Sequence, residues 1–459
     1  MINLVLLLAG ASLQAPAPDP RAVAVVDSAI VRMGGAAALG NIARARYELV
    51  TQWQRMALDG RPYGDQPTYE WHTDVRDYTI PAWRNTRRFG SPSQPMEIVD
   101  VVRDSVAIRF MRDVWAPLNV AYVDERREIF TFAAERLLPQ LRAAPDLRAL
   151  PDTTVAGVPH ARVGATVDGF PATLFVRRTD GLPSMVRFVA AHPNDFGLAP
   201  LGRMEVEIWY SRWQRNPAGV TLPMQWDVRR AGAPYKRITA VAAAFDAAAT
   251  PDSFAVSDSL RAAFLATERR AMHDVPFDSA RIVADHFVSF NAIGAPAGAV
   301  RVGRQWVLLE TGQAPLSAER ALQALARLDS APVAAAVVTM TSGTNGGAAG
   351  LAGTVPLHVA PGAVPFMRIV LRNSGASESA IGADAVGRWL RIGADSLRLE
   401  PIDLPDAPGS MLVYVPSLRW VYSGMAAAPL QREYVLGWAR RRGWVVERVG
   451  TIREVAGSL

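Results

Sequence analysis

A short apolar segment, Ala331–Thr339, runs directly into a loop of hydroxyls and glycines, Thr339-Met340-Thr341-Ser342-Gly343-Thr344-Asn345-Gly346-Gly347. An apolar run without polar alternation is a strand buried on both faces, the arrangement of a parallel sheet flanked by helices. The surrounding pattern agrees. Ile282–Phe290 and Gly298–Leu309 read as strands, and Ser317–Leu328 reads as a helix with Ala321, Leu325 and Leu328 turned inward. A second βαβ-like half follows, with strands at Val355–Val359, Asp395–Pro401 and Ser410–Val415 and a hairpin partner at Arg419–Ser423. A helix over Pro429–Arg442 and a last strand over Trp444–Ile452 complete it.

The first half of the chain has a different rhythm. After a Pro-rich spacer, Arg21–Leu39 has the apolar spacing of a helix, through Val23, Val26, Ile30 and Met33. Ala45–Met56, Tyr69–Phe89 and Glu97–Met111 alternate as long antiparallel strands do, and Asp124–Ala143 carries a helical stripe of Ile129, Phe130, Ala133, Leu137 and Leu141. Strands return from Thr154 to Val228, with a hairpin over Thr173–Val186 turned by Thr179-Asp180-Gly181. A linker, Ala247–Ser259, leads to a helix over Leu260–Met272.

At 459 residues the chain calls for two or three domains. The net charge of +6 raises the question of nucleic acid, but Lys236 is the only lysine, so all other basic residues are arginine. They are scattered, with Arg440-Arg441-Arg442 the only run of three, so the charge reads as a solvated surface and no nucleic-acid partner is expected. With no cysteine, disulfides, thiolate metal sites and a cysteine nucleophile are excluded. Met1–Ala11 is an apolar run of signal-peptide length that lacks a basic start. Export to the periplasm or beyond, with possible attachment to the membrane, is the expectation; a buried or interfacial N-terminal segment is the alternative.

Two resemblances sharpen this reading. Val206-Glu207-Ile208-Trp209-Tyr210-Ser211-Arg212-Trp213 followed by Gly219-Val220-Thr221-Leu222-Pro223 resembles a strand-and-turn signature of exported lipoprotein carriers. That implies an incomplete antiparallel β-barrel with a leading helix over residues 20–260. In carriers such a sheet wraps an apolar groove for acyl chains; the alternative is a groove plugged by side chains or by the Asp124–Ala143 helix. The Thr339–Gly347 loop resembles the metallo-β-lactamase motif H-x-H-x-D-H-x-G-G. Thr339, Thr341 and Thr344 stand at its histidine positions, Gly343 stands at its aspartate, and Gly346-Gly347 is retained. Asp406 falls where a further histidine is expected, Gly424-Met425 where a bridging aspartate is expected, and Gly450-Thr451 at a Gly-His turn.

The resemblance therefore implies an α/β metallo-β-lactamase-like sandwich over residues 275–459, following residues 1–19 as signal peptide and spacer. Its metal ligands have been replaced. Threonine hydroxyls are poor zinc donors, Asp406 alone cannot hold a metal, and the six histidines show no paired spacing. No metal and no cofactor are expected, and His358 reads as structural. Thr339, Thr341, Ser342, Thr344, Asn345 and Asp406 form the candidate vestigial or ligand-binding site. Three uses stay open for it: an inert loop, an anion or sugar site, or new catalysis with Asp406 as base. Trp389, Trp420, Tyr422, Trp438 and Trp444 are expected to pack the second half, and Tyr434 and Trp438 share one helix face. The resulting expectation is an exported non-catalytic binding or scaffold protein with a protein partner or membrane complex at the envelope. A hydrolase with an unorthodox site, or a carrier of lipid or of a small polar ligand, is the alternative.

Overall fold

The computed structural model describes residues 17–54, 68–91, 94–192, 195, 201–246, 251–267, 281–284, 286–292, 295–341, 345–382, 387–404, 407–426 and 429–451. The chain opens with helices α1 (Pro20–Arg32) and α2 (Ala36–Gly40). The single helix expected over Arg21–Leu39 is thus two. Gly34 and Gly35 both adopt positive φ, 120° and 95°, a conformation glycine accepts without a Cβ clash. Six strands follow: β1 (Arg44–Trp53), β2 (Thr68–Asp77), β3 (Ala82–Ser91), β4 (Gln94–Arg103), β5 (Val106–Met111) and β6 (Val114–Pro117). Then come helices α3 (Ala121–Thr131) and α4 (Ala134–Ala143). They also replace one expected helix, because Ala133 is extended (ψ 128°) and breaks the ladder.

Seven further strands complete the first sheet: β7 (Arg148–Val155), β8 (Val158–Val167), β9 (Phe170–Arg177), β10 (Pro183–Ala191), β11 (Arg203–Arg215), β12 (Thr221–Arg230) and β13 (Ala233–Phe245). The order across this thirteen-stranded antiparallel sheet is β6-β5-β4-β3-β2-β1-β13-β12-β11-β10-β9-β8-β7. Two meanders meet where β1 pairs with β13, and β6 and β7 are left as unpaired edges. The barrel is incomplete.

Helices α3 and α4 fill the face of this sheet. Leu137, Leu138 and Leu141 of α4 pack in one apolar cluster with Val163, Leu174, Val206 and Ile208. Buried polar clamps join the same helices to the strands. The Glu135 carboxylate accepts from Tyr47 Oη (2.8 Å) and Tyr78 Oη (2.6 Å), and Arg230 donates to Glu128 at 3.1 Å. Lys236 donates to Glu125 at 3.1 Å. Toward the β5 side, Asp100 binds Arg87 and Arg109, and Arg109 also reaches Tyr122 of α3. A small cavity between α3, Arg76, Phe132, Trp226 and Lys236 has a volume of about 50 Å³, room for a few waters.

After helix α5 (Asp258–Ala266) the architecture becomes α/β. Strands β14 (Arg281–Ala284), β15 (Phe287–Ala292), β16 (Ala295–Val302) and β17 (Gln305–Leu309) form an antiparallel meander. Helix α6 (Pro315–Leu328) then crosses to β18 (Val333–Val338), and helix α7 (Ala348–Leu351) precedes β19 (Leu357–Val359). Helix α8 (Val364–Asn373), unforeseen in the sequence, precedes β20 (Ile381–Gly382). From β17 to β20 the pairing is parallel, as the apolar Ala331–Thr339 run requires.

A five-stranded sheet of β21 (Arg388–Ile392), β22 (Asp395–Leu404), β23 (Ala407–Val415), β24 (Trp420–Tyr422) and β25 (Arg448–Gly450) repeats this plan. Its strands are antiparallel up to β24, and helix α9 (Pro429–Arg441) then crosses to a parallel β25. Trp420 and Tyr422 are buried and Trp444 stacks on Tyr414 at 4.5 Å. Trp389 departs from expectation. It is 50% exposed, with the Arg398 guanidinium lying over its ring at 5.6 Å. Among the described residues no helix is long and apolar enough to cross a membrane.

Candidate functional site

The C-terminal ends of β17, β18 and β24 converge on one carboxyl group. Glu310, the residue after β17, is completely buried and its backbone is left-handed (φ 58°), a strained conformation for a non-glycine residue. Thr339, the residue after β18, donates its hydroxyl to Glu310 Oε1 at 2.5 Å and its backbone N–H at 3.2 Å. The same Thr339 Oγ1 accepts the N–H of Gly424, beyond β24, at 2.9 Å. Thr339 C=O accepts from Met411 N–H of β23 at 2.9 Å. One threonine thus stitches both sheets together. Burial pushes the Glu310 carboxyl up to about 7, against the opposing hydrogen bonds from Thr339, Asn345 and Tyr422.

Asn345 is fully buried and bound to the neighbouring loop. Its Oδ1 accepts the N–H of Thr311 at 3.0 Å, and its backbone C=O accepts the Thr311 hydroxyl at 2.9 Å. Gly347 explains the retained glycine pair. Its N–H reaches Gly312 C=O at 2.7 Å, and a Cβ there would lie 2.0 Å from Thr311 O. Gly347 thus serves a close backbone contact between the two loops.

Of the candidate residues, the structure brings Thr339, Thr341 and Asn345 into this buried knot; Ser342, Thr344 and Asp406 lie outside the described residues. Thr341 Oγ1 and Ser423 Oγ are buried with no hydrogen-bond partner among the described residues. His358, 8% exposed on β19, is part of the buried core. Glu310 was not anticipated. The signal for it is a lone acid that ends the apolar run Trp306–Leu309 just before Thr311-Gly312.

The chemistry of the knot follows from its burial. Among the described residues no group of three or more His, Asp or Glu side chains is placed to hold a metal ion. The Thr339–Glu310 pair has the composition of a nucleophile and its base, and a carboxyl near pKa 7 suits base chemistry. Yet Thr339 has no exposed surface, and its oxygen is held by Glu310 and Gly424 N–H. Thr339→Val removes this oxygen and leaves the buried Gly424 N–H without its acceptor. The expected cost is about 1–3 kcal/mol of unfolding free energy by urea titration, with Thr339→Ser closer to the unaltered chain.

The described residues form an open thirteen-stranded antiparallel sheet followed by a seven-stranded and a five-stranded mixed sheet. No family model matches the chain, and no curated protein does. Among solved structures, an outer-membrane lipoprotein-sorting domain from Vibrio parahaemolyticus is similar over 50% of this chain and 95% of its own, at 8% identity and a TM-score of 0.32. A LolA superfamily protein from Nitrosomonas europaea is similar over 52% and 99%, at 11% identity and 0.33. A metallo-β-lactamase from Pontibacter korlensis is similar over 40% and 98%, at 13% identity and 0.29.

Proposed function

We propose that this chain is a non-catalytic binding or scaffold protein of the cell envelope, its second part a metallo-β-lactamase-like fold that has exchanged its metal centre for a hydrogen-bonded lock. The observation that carries this reading is Thr339 Oγ1, held between the Glu310 carboxyl and Gly424 N–H where the family frame places a histidine ligand. Placement at the envelope, periplasmic or secreted, is supported by the apolar Met1–Ala11 run together with the carrier-like sheet. A protein partner there is the use that a maintained but locked fold favours.

Metal analysis and a panel of esterase, lactamase and sulfatase substrates on the purified full chain test the lock. The expected result is zinc well below one equivalent and no turnover. Stoichiometric zinc accompanied by turnover overturns the reading. Affinity capture from the native envelope is then expected to retain a defined partner at fixed stoichiometry.

A further inference from the structure

A cleft of about 650 Å³ opens on the first sheet, far in sequence from the Glu310 knot. Its walls are α3, α4, the β2–β3 turn and the β8–β9 turn. This volume is within the range of small-molecule sites. Three arginines line it, Arg126, Arg127 and Arg136, against a single carboxylate, Asp168. Arg127 and Asp168 neutralise each other at 2.8 Å, with Thr131 Oγ1 also donating to Asp168 at 3.0 Å.

The other two arginines have no such partner. Arg126 donates to the Pro81 carbonyl and lies over the Phe130 ring at 5.7 Å, while its buried Nε has no hydrogen-bond partner. Burial pulls the Arg126 guanidinium below the ordinary arginine range. Arg136 lies over the Tyr78 ring at 4.9 Å. Partly buried, neither forms an ion pair with a carboxylate among the described residues, whereas the buried Asp74, Arg76, Asp100, Glu128, Arg230 and Lys236 of the same sheet and α3 do. Two guanidinium groups without an ion-paired carboxylate therefore border one cleft, whose wall also carries apolar Phe130, Ala143, Ala144 and Val167 beside polar Gln140 and Thr166.

We propose that this cleft binds a phosphate ester, with Arg126 and Arg136 holding the oxyanion and the apolar wall receiving the organic part. The ligand class follows from donor geometry. One guanidinium fork satisfies a carboxylate, whereas a phosphate offers enough oxygens and charge for two. A lipid headgroup and a soluble phosphate ester share this chemistry. The inference stands apart from the lock at Thr339, so either can fail alone.

The test is calorimetric titration of the full chain with glycerol 3-phosphate, alongside flotation with phosphatidylglycerol and phosphatidylcholine vesicles. Saturable binding in the first arm marks a soluble ester, and selective flotation with phosphatidylglycerol marks a headgroup. Either result is expected to weaken about tenfold or more in Arg136→Gln, and to vanish in the double variant with Arg126→Gln. Arg127→Gln, whose charge is already paired, is expected to change affinity less than about threefold. Should Arg126→Gln fail to fold for want of its Pro81 contact, Arg136→Gln decides alone. The proposal is overturned by no saturable binding in either arm. It is equally overturned if Arg136→Gln binds as the unaltered chain does, or if acetate binds as tightly as glycerol 3-phosphate.

Discussion

Gly347→Ala is expected to lose more than about 4 kcal/mol of stability, the severe end of the single-substitution range. The added Cβ would sit 2.0 Å from Thr311 O, 2.8 Å from Thr311 C and 3.0 Å from Ala314 O. All three are backbone atoms, so no rotamer change relieves the overlap. The loop after β18 has to withdraw from Thr311–Ala314, which breaks the Gly347 N–H bond to Gly312 and the Asn345 caps on Thr311. Urea unfolding is the measurement, with Gly40→Ala as the control. That position is the end of α2, has no atom within 4 Å of a new Cβ, and should change stability by less than about 0.5 kcal/mol. A Gly347→Ala chain that unfolds within about 1 kcal/mol of the parent refutes the close-approach account.

Glu310→Gln should flatten the stability profile between about pH 4.5 and pH 7. In the folded chain burial holds the Glu310 carboxyl at about 7, above its ordinary 4.5. Over that window the folded state retains a proton that the unfolded chain has released. Stability contributed by this group is complete below about pH 4.5, falls as the pH rises through 7, and is level beyond. The loss across the window is about 3 kcal/mol. Glutamine keeps an acceptor for the Thr339 hydroxyl and N–H but carries no ionisable proton, so the variant should gain on the parent as pH rises. Urea midpoints of both chains from pH 5 to pH 8 measure the difference. Parallel profiles would show that Glu310 is ionised throughout.

What was legible in the sequence was periodicity, and what was not was pairing across distance. The Ala331–Thr339 run announced a buried parallel strand because its apolarity is local. The β9–β10 hairpin announced itself through Asp180-Gly181 in the same way. Gly346-Gly347 was readable as a motif, although its reason, the contact with Thr311, lies 36 residues upstream of Gly347 and is visible only in the fold. Glu310 looks in sequence like any acid at a strand end; its burial depends on Thr339 and Gly424 arriving from other strands. The charged clamps of the first sheet were equally hidden, since Arg230 finds Glu128 across 102 residues. Helix α8 was missed although Pro365 stands in its first turn, a position that favours helix starts. Its neighbouring Pro361 and Gly362 read as loop.

The unpaired edges at β6 and β7 bear on mechanics. A closed barrel has its radius fixed by strand number and shear. This sheet has no such closure, and no backbone ladder runs from its last strand to its first. Its curvature is set from within, by the Tyr47–Glu135, Arg230–Glu128 and Lys236–Glu125 struts and the leucines of α4. The sheet behaves as a leaf spring wrapped on a spindle: lengthening those struts would relax the bend while every strand pairing stays intact.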